Sequence, residues 1–309
     1  MAGVATSGRP WAGAARRRRR QEREARRRSS RVGPYLLVAP AVVYLVIFFV
    51  VPIWSLLRTS LSSNAGSVFL PELRFSWDWS NYGDALTDFR DQIVRSFWYA
   101  AVATLACLVM AYPLAYVIAF KSGRYRNVLL GLVILPFFVT FLVRTLAWKT
   151  ILADDGWVVD ALDTIGLLPR EGRLLSTSWA VIGGLIYNFV PFMVLPLYVS
   201  LEKIDPHLLE AARDLYSGSC RAFRRVVLPL SMPGLLAGSL LVFIPASGDF
   251  INADYLGSTQ TRMIGNVVQQ QFLVVKDYPA AAALSFLLMA IILVAVLAYT
   301  WALGTEELA

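Results

Sequence analysis

The apolar stretch YLLVAPAVVYLVIFFVVPIWSLL, from Tyr35 to Leu57, decides the class of fold. A helix of about 20 apolar residues crosses the hydrocarbon layer of a bilayer, and this stretch carries no charged side chain. A signal peptide has a shorter apolar core and a small-residue cleavage site, whereas this stretch continues through Trp54 to Arg58. We therefore predict a retained transmembrane helix.

The composition of the whole chain has the same bias. Hydrophobic residues make up 57% of the 309 residues, charged residues make up only 16%, and the mean hydropathy is +0.57. Soluble domains are about 25% charged, so a chain this poor in charge has too little polar surface to face water on all sides. The composition excludes cytosolic enzymes and small secreted disulfide scaffolds.

The positive charge is concentrated in residues 1–34. This segment holds eleven arginines against Glu22 and Glu24, while the whole chain has a net charge of +8. Arginine runs bind nucleic acid in some proteins, but next to a long apolar helix they favour a cytoplasmic anchor on anionic lipid. We predict a lipid-facing cytoplasmic tail and no nucleic-acid partner.

Five further apolar runs have the length of a membrane span. They are Ser96–Phe120, Val128–Trp148, Trp179–Leu201, Pro233–Phe250 and Ala280–Leu303. The stretches between them are polar and too short to form a separate domain. The pattern predicts an all-α integral membrane protein, with a bundle of six transmembrane helices over residues 35–303 and a short tail at residues 304–309.

Lysine and arginine set the orientation of this bundle. With the N-terminus in the cytoplasm, the inner segments hold 19 Lys and Arg residues and the outer loops hold 9. In membrane proteins the cytoplasmic loops carry the excess of positive charge. We predict that both termini lie in the cytoplasm, with Trp77 and Asp160 outside.

Few residues suit metal binding or covalent catalysis. The chain has two cysteines, Cys107 in an apolar run and Cys220 in a basic loop, and a single histidine, His207. It contains no C-x-x-C, H-E-x-x-H or G-x-x-x-x-G-K-[ST] pattern, and these patterns would indicate a zinc site or a phosphate-binding loop. The sequence predicts no disulfide, no metal ion, no cofactor and no ATPase site of its own.

The inner loop between the fourth and fifth runs, residues 202–232, has the local pattern of two short helices. Asp205 is a good N-cap and Pro206 suits the first helical position. Apolar residues then recur at helical spacing; they are Leu208, Leu209, Ala212 and Leu215. Gly218 permits a turn before a second helical stretch from Cys220 to Val227. Such a loop is either a plain connector or a polar face for a protein partner.

The spacing of this loop resembles the EAA signature of permease subunits in binding-protein-dependent ABC importers. The matching residues are Glu210, Ala211 and Ala212 at its start, and Val226, Leu228 and Pro229 at its end. Tyr216 stands at the glycine position of the signature, and the nearest glycine is Gly218. The turn of this chain therefore differs from the family pattern.

Other segments resemble the spermidine/putrescine permeases within that family. They include LPFFVTFLVRTLAW (Leu135–Trp148), GDFINADYLG (Gly248–Gly257), MIGNVVQQQF (Met263–Phe272) and YPAAAALS (Tyr278–Ser285). The resemblance runs through most of the chain from Tyr35 to Leu303. Importers of ferric iron, sulfate and amino-acid derivatives share much of the pattern and stay as alternatives.

The resemblance implies half of the translocation channel of a type I ABC importer in the bacterial cytoplasmic membrane. Two permease subunits form the channel, two copies of an ABC ATPase bind ATP and dock inside, and an extracytoplasmic binding protein delivers the substrate. The EAA helix is a short cytoplasmic coupling helix that inserts into a groove of the ATPase. The residues implied in this coupling are Glu210, Ala211, Ala212, Arg213, Asp214, Gly218, Leu228 and Pro229.

Polar residues within the spans are the candidates for a substrate pathway, because such residues are costly in lipid and mark functional sites. Asn188 in the fourth run forms either a hydrogen bond between helices or part of the pathway lining. Gly183 and Gly184 permit a close approach to a neighbouring helix. Arg144 lies near the outer end of the third run, where we expect its side chain to snorkel to the lipid headgroups.

Asp249 follows Pro245 and Gly248, where we expect the fifth helix to break and line a cavity. Its carboxylate has three interpretations: contact with a cationic substrate, an ion pair with Arg144, or a position in a plain loop. The other pathway candidates in this stretch are Asp254, Phe250 and Tyr255. The two aromatic rings suit an ammonium group through cation–π contact.

Two other classes of membrane protein are alternatives. A membrane-embedded enzyme needs paired catalytic groups at one depth, and the spans offer only the isolated Arg144, Asn188 and Asp249. A scaffold without transport activity has no need of the matched EAA spacing. The sequence therefore favours a polyamine permease of the importer type over both.

Overall fold

The structure is a computed structural model of the 309-residue chain. It describes residues 38–64, 73–164, 173–205, 207, 208, 210 and 218–303. The chain forms two compact units, residues 1–58 and residues 59–309.

Helices make up most of the described ranges, as predicted. In chain order the elements are α1 (Val38–Ser60), β1 (Ser62–Asn64), β2 (Leu73–Phe75), α2 (Ser80–Asp88), α3 (Arg90–Phe120), α4 (Arg126–Ile134), α5 (Phe141–Ile151), α6 (Trp157–Thr164), α7 (Ser178–Glu202), α8 (Cys220–Leu230), α9 (Met232–Ser247), α10 (Ile251–Leu256), α11 (Ile264–Gln270) and α12 (Tyr278–Leu303).

Six membrane spans follow from these elements when each bent helix pair counts as one span. In the described part of the chain, α1, α3, α7 and α12 are each long and apolar enough to cross a bilayer. Two pairs pass the same test together: Gly123–Phe138, which contains α4, pairs with α5 at a bend of 91°, and α8 pairs with α9 at a bend of 66°. The prediction of six spans is confirmed in this sense.

The bend between α4 and α5 has a local cause. Pro136 lies in a 3-10 turn, Leu135–Phe138, and Val139 has an extended backbone (φ −104°, ψ 133°). A proline has no backbone N–H to continue a helical ladder, and the extended residue ends the helix. The predicted third span, Val128–Trp148, is therefore built from two helices, because the first helix is interrupted and the second starts at Phe141.

The bend between α8 and α9 lies at Ser231, the N-cap of α9. Pro233 has no N–H to donate to the carbonyl of Pro229, and its ring crowds that carbonyl. α9 then continues with Pro245 inside it and ends at Gly248, its C-cap. The predicted break before Asp249 is confirmed, and it lies at Gly248 rather than at Pro245.

Three connections that the sequence presents as polar loops contain regular structure. β1 and β2 pair as an antiparallel hairpin, with Ser62 opposite Phe75. α6 lies in the acidic connection after α5, and α10 and α11 fill most of the connection before α12. Apolar packing explains the difference, because Ala85 of α2 and Ile264 of α11 are buried in one cluster with Leu284 of α12.

Small residues on α3 let this helix pack closely against α7 and α9. The fully buried residues of α3 recur at spacings of three and four, and they include Ala100, Ala103, Cys107, Ala111 and Ala115. Helices in lipid associate through such small residues. These three helices contribute most of the hydrophobic core of residues 59–309.

Candidate coupling surface and buried polar cluster

The coupling segment begins where α7 ends. Ile204, at 6% exposure, belongs to the hydrophobic core. The Asp205 carboxylate then accepts a hydrogen bond from the backbone N–H of His207 at 2.9 Å. This is the contact that an N-cap side chain makes, so the predicted cap at Asp205 is confirmed.

Glu210, the first residue of the EAA match, lies on the surface. Its side chain is 74% exposed, and Oε2 lies 3.7 Å from Nδ1 of His207. An exposed pair of this kind contributes little to stability. Leu208 beside it is 49% exposed, so the described part of this helix has an acidic and an apolar side chain on its surface.

The remaining coupling candidates divide into two groups. Ala211, Ala212, Arg213 and Asp214 lie outside the described residues. Gly218, Leu228 and Pro229 are described, and they bound the second helix of the segment: the Gly218 carbonyl accepts hydrogen bonds from Arg221 and Ala222 at 3.1 Å. Leu228 and Pro229 form the last turn of α8, directly before the bend. The predicted second helix is confirmed and runs to Leu230.

A charged contact that the sequence did not predict lies on the same side of the bundle. Arg126, at the start of α4, forms an ion pair with Glu202 at the end of α7. The Arg126 side chain also donates to the Tyr198 hydroxyl and lies over its ring, 5.1 Å from the centroid. This contact joins the short basic loop to the start of the coupling segment.

A cluster of polar side chains is buried at the contact of α5, α7 and α10. Asn188 Nδ2 of α7 donates to Asn252 Oδ1 of α10 at 3.2 Å and lies 3.4 Å from Thr145 Oγ1 of α5. The Thr145 hydroxyl lies 3.3 Å from the same Asn252 oxygen. All three residues are fully buried. Of the two interpretations of Asn188, the hydrogen bond between helices is confirmed.

Asp249 belongs to this cluster through Asn252. Its Oδ1 accepts from the backbone N–H of Asn252 at 2.7 Å, and its Oδ2 accepts from Asn252 Nδ2 at 3.3 Å. Asp249 is 8% exposed, so it is not a plain loop residue. Within the described ranges Asp249 and Arg144 form no ion pair, and that interpretation of the carboxylate is wrong.

Arg144 is buried at 7% exposure, so the prediction that it snorkels to the headgroups is wrong. Its guanidinium carbon lies 5.6 Å from the centroid of the Phe141 ring. Among the described residues, its Nε and Nη1 atoms have no hydrogen-bond acceptor. Asn188 Oδ1 is likewise buried without a donor in those residues. Among the described residues, two nitrogen donors of Arg144 and the side-chain oxygen of Asn188 are therefore buried without a hydrogen-bond partner.

The two consecutive glycines of α7 behave differently. A Cβ added at Gly184 would lie 2.5 Å from Leu256 Cδ1 and 2.6 Å from Asn252 Oδ1. A Cβ added at Gly183 meets no atom within 4 Å in the described structure. The predicted close approach is confirmed for Gly184 alone, which lets α10 pack on α7 beside the polar cluster.

The other pathway candidates lie around α10. Phe250 is 39% exposed and lines an apolar cavity of about 720 Å³ together with Gly265 and Phe272. Asp254 is exposed. The ring of Tyr255 is 5.7 Å from Lys149 Nζ, a distance at which an ammonium is attracted to an aromatic face.

Sequence reasoning missed Thr145 and Asn252, which complete the cluster. The available signal was positional, since Asn252 follows the helix break at Gly248 and Thr145 is next to Arg144. In the described ranges no three His, Cys, Asp or Glu side chains come together as metal ligands. The buried cluster holds α5, α7 and α10 together through hydrogen bonds. Glu210 is a separate feature, an exposed acidic residue on the segment after α7.

Known proteins share both the sequence and the fold. The family described as binding-protein-dependent transport system inner membrane component matches residues 111–303. The chain is 39% identical to the spermidine/putrescine transport system permease protein PotB of Haemophilus influenzae (strain ATCC 51907 / DSM 11121 / KW20 / Rd), over 78% of this chain and 84% of that protein. It is 38% identical to PotB of Escherichia coli (strain K12), over 83% of this chain and 92% of that protein.

The fold is also found in a solved structure. A chain of a bacterial ABC transporter involved in the import of the acidic polysaccharide alginate superposes with a TM-score of 0.66 at 16% identity, over 92% of this chain and 99% of that chain. That likeness concerns the fold alone. The match over residues 111–303, more than half of the chain, establishes that this chain belongs to the family of inner membrane components of binding-protein-dependent transport systems.

Proposed function

We propose that this chain is a permease subunit that forms half of the translocation channel of an ATP-driven importer for polyamines such as spermidine and putrescine. The observation that carries the proposal is the identity of 38–39% with proteins named as spermidine/putrescine permeases, over about four fifths of the chain. The permease region spans residues 35–303, and the subunit performs no covalent chemistry of its own.

The proposed partners are a second permease subunit, two copies of an ABC ATPase and an extracytoplasmic binding protein. The family description supports the binding protein. The exposed Glu210 and Leu208 support a docking site for the ATPase. On this proposal the coupling surface comprises Glu210, Ala211, Ala212, Arg213, Asp214, Gly218, Leu228 and Pro229.

A polycationic substrate is consistent with the chemistry near the outer ends of the spans. The Tyr255 ring already faces one ammonium group, that of Lys149, and Asp249 and Asp254 add carboxylates. We assign Tyr255, Asp249, Asp254 and Phe250 to the proposed pathway region, and Asn188 supports it by holding α10 through its hydrogen bond to Asn252. The substrate itself is tested by uptake of radiolabelled spermidine and putrescine into proteoliposomes that hold the complete complex.

We expect ATP-dependent uptake of spermidine. Excess putrescine should suppress this uptake, and sulfate should not. ATP-dependent uptake of sulfate or ferric iron, without uptake of spermidine, would replace the polyamine with another solute. Because each solute gives its own signal, the experiment separates the polyamine proposal from the alternative importers.

The proposed orientation places both termini in the cytoplasm of a bacterial cell. The chain offers a reporter for this, because Cys220 is an exposed free thiol and Cys107 is buried. A membrane-impermeant maleimide added to intact cells should leave Cys220 unlabelled, and it should label Asp160→Cys in a Cys220→Ser background. Labelling of position 160 only from the cytoplasmic side contradicts the orientation.

A further inference from the structure

A buried hydrogen bond links α3 to the bend between α8 and α9. The Tyr112 hydroxyl of α3 lies 2.7 Å from Ser231 Oγ. Tyr112 is 9% exposed and Ser231 is fully buried. The Ser231 hydroxyl donates its single proton to the Leu228 carbonyl at 3.0 Å, so Tyr112 is the donor in its pair with Ser231.

Ser231 does not use its side chain as an N-cap serine normally does. Such a serine accepts a hydrogen bond from a backbone N–H in the first turn of its helix. Ser231 is the N-cap of α9, yet its side chain makes no capping bond, and its oxygen accepts from Tyr112 instead. The contact therefore fastens the bend to α3 and leaves the helix end uncapped.

Tyr112 also contacts α8 before the bend. Its ring meets the Phe223 ring edge to face, with centroids 5.3 Å apart and planes at 78°. Phe223 opens a π-helical turn, Phe223–Val227, within α8, and such turns are frequent at functional sites. One side chain of α3 thus contacts both the helix that leads into the bend and the residue at which the chain bends.

Beyond the bend, α9 is packed tightly against α7. A Cβ added at Gly234 would lie 2.5 Å from Ser200 Cβ and 2.6 Å from the Pro196 carbonyl oxygen, and one at Gly238 would lie 2.7 Å from the Met193 sulfur. The Gly-x-x-x-Gly spacing brings two helices together in lipid. A displacement that reaches α9 therefore reaches α7 as well.

We propose that Tyr112 is a positioning residue for energy coupling, and that its hydrogen bond to Ser231 fixes the angle between α8 and α9. Pro229 and Pro233 each lack the backbone N–H of a helical hydrogen bond, one on either side of Ser231. Without the bond from Tyr112, motion of the coupling segment would change the angle at this bend and go no further. With the bond in place, the motion passes to α3, α7 and α9. The inference rests on the proposed function, because it requires an ATPase that moves the coupling segment.

The test uses the complete complex, reconstituted with its ATPase, second permease and binding protein. Tyr112→Phe and Ser231→Ala each remove the bond, and Tyr116→Phe is the matched control, since Tyr116 also lies on α3 and its ring also faces Phe223. Two ratios are measured on assembled complexes: spermidine molecules transported per ATP hydrolysed, and ATP hydrolysis with the binding protein relative to hydrolysis without it. Loss of one hydrogen bond should lower both ratios at least about threefold.

The double variant supplies the decisive comparison. If both residues act through one bond, the double variant Tyr112→Phe/Ser231→Ala should have ratios no lower than those of the more impaired single variant. The effects of substituting two residues in contact do not add. A merely structural role would reduce the yield of assembled complex without moving either ratio. Native ratios in both single variants, or losses that add in the double variant, overturn the inference.

Failure of the proposed function gives a different result. If the native complex hydrolyses ATP but transports neither spermidine nor putrescine, the polyamine assignment fails. The ratio of hydrolysis with and without the binding protein needs no transported solute, so it still decides the role of Tyr112. A threefold fall in that ratio supports the positioning role, and an unchanged ratio refutes it.

Discussion

Asn188 Nδ2 donates a hydrogen bond to Asn252 Oδ1 across 3.2 Å, and this bond joins the fourth span to the short helix that follows the break at Gly248. Asn252 in turn donates its backbone N–H and its Nδ2 to Asp249. One asparagine therefore connects α7, α10 and the end of α9. Because all of these groups are buried, the cluster fixes α10 against the bundle.

Replacing Asn252 with alanine should destabilise the subunit. The substitution leaves Asn188 Nδ2 without its best acceptor and Asp249 without a side-chain donor, and a buried polar group left unpaired costs about 1–3 kcal/mol. Asp254→Ala is the matched control, since Asp254 is exposed on the same helix and surface changes fall within about 0.5 kcal/mol. Thermal unfolding of the purified complex in detergent measures both. Equal stability of the two variants contradicts a structural role for the cluster.

Asp249→Asn keeps the size of the side chain and removes its charge. One carboxylate oxygen becomes an NH2 group that faces the Asn252 Nδ2 donor. That buried donor is left without an acceptor, so stability should fall by about 1–3 kcal/mol. Since Asp249 and Arg144 are not paired, adding Arg144→Gln should change stability additively to within about 0.5 kcal/mol. A double variant that recovers the loss indicates an ion pair between them. Transport that falls further than the amount of assembled complex indicates contact with substrate.

Glu210→Lys should separate the permease from its ATPase. Docking would bury Glu210 against the ATPase, and breaking a buried charge pair at an interface removes at least about 2 kcal/mol of binding, or roughly thirtyfold in affinity. Insertion should be unaffected, because the Glu210 side chain is 74% exposed in the subunit. The control is Asp160→Lys, an exposed acidic residue of α6. The amount of ATPase that co-purifies with the permease is the measurement. Normal uptake and co-purification by Glu210→Lys remove the coupling assignment.

The sequence was sufficient for the number of spans and for the described ends of the coupling segment, because both depend on local rules. Length and hydropathy place the membrane helices, and Asp205 caps its helix through a side chain only two residues away. Leu228 and Pro229 lie at the end of the second helix, as the family spacing implies. Such features need no knowledge of which helices are neighbours.

The contacts between helices were not accessible in the same way. Asn188 and Asn252 are 64 residues apart, and Tyr112 and Ser231 are 119 apart, so nothing local indicates either pair. The position of Arg144 near a span end favoured a side chain that reaches the lipid headgroups. In the structure Arg144 lies on α5, after the bend of 91° between α4 and α5, and it is buried. Pro136 was visible in the sequence, but its effect on the third span was not.

Gly183 and Gly184 offer a sharp test of how α7 and α10 pack, because they are adjacent and face different surroundings. Alanine at Gly184 would place its Cβ 2.5 Å from Leu256 Cδ1 and 2.6 Å from Asn252 Oδ1. Leu256 is fully buried and Asn252 is held by its hydrogen bonds, so neither yields easily. Overpacking of this kind costs about 1–3 kcal/mol, and it would also push Asn252 away from Asn188.

Alanine at Gly183 should have the opposite effect. Its Cβ meets no atom of the described residues within 4 Å, and replacing glycine by alanine within a helix is favourable by up to about 1 kcal/mol. We therefore expect Gly183→Ala to raise and Gly184→Ala to lower the midpoint of thermal unfolding of the purified complex. Gly184→Ala should also reduce uptake, because α10 is displaced from the polar cluster. If both variants unfold at the same temperature, α10 does not pack on Gly184 in the assembled transporter.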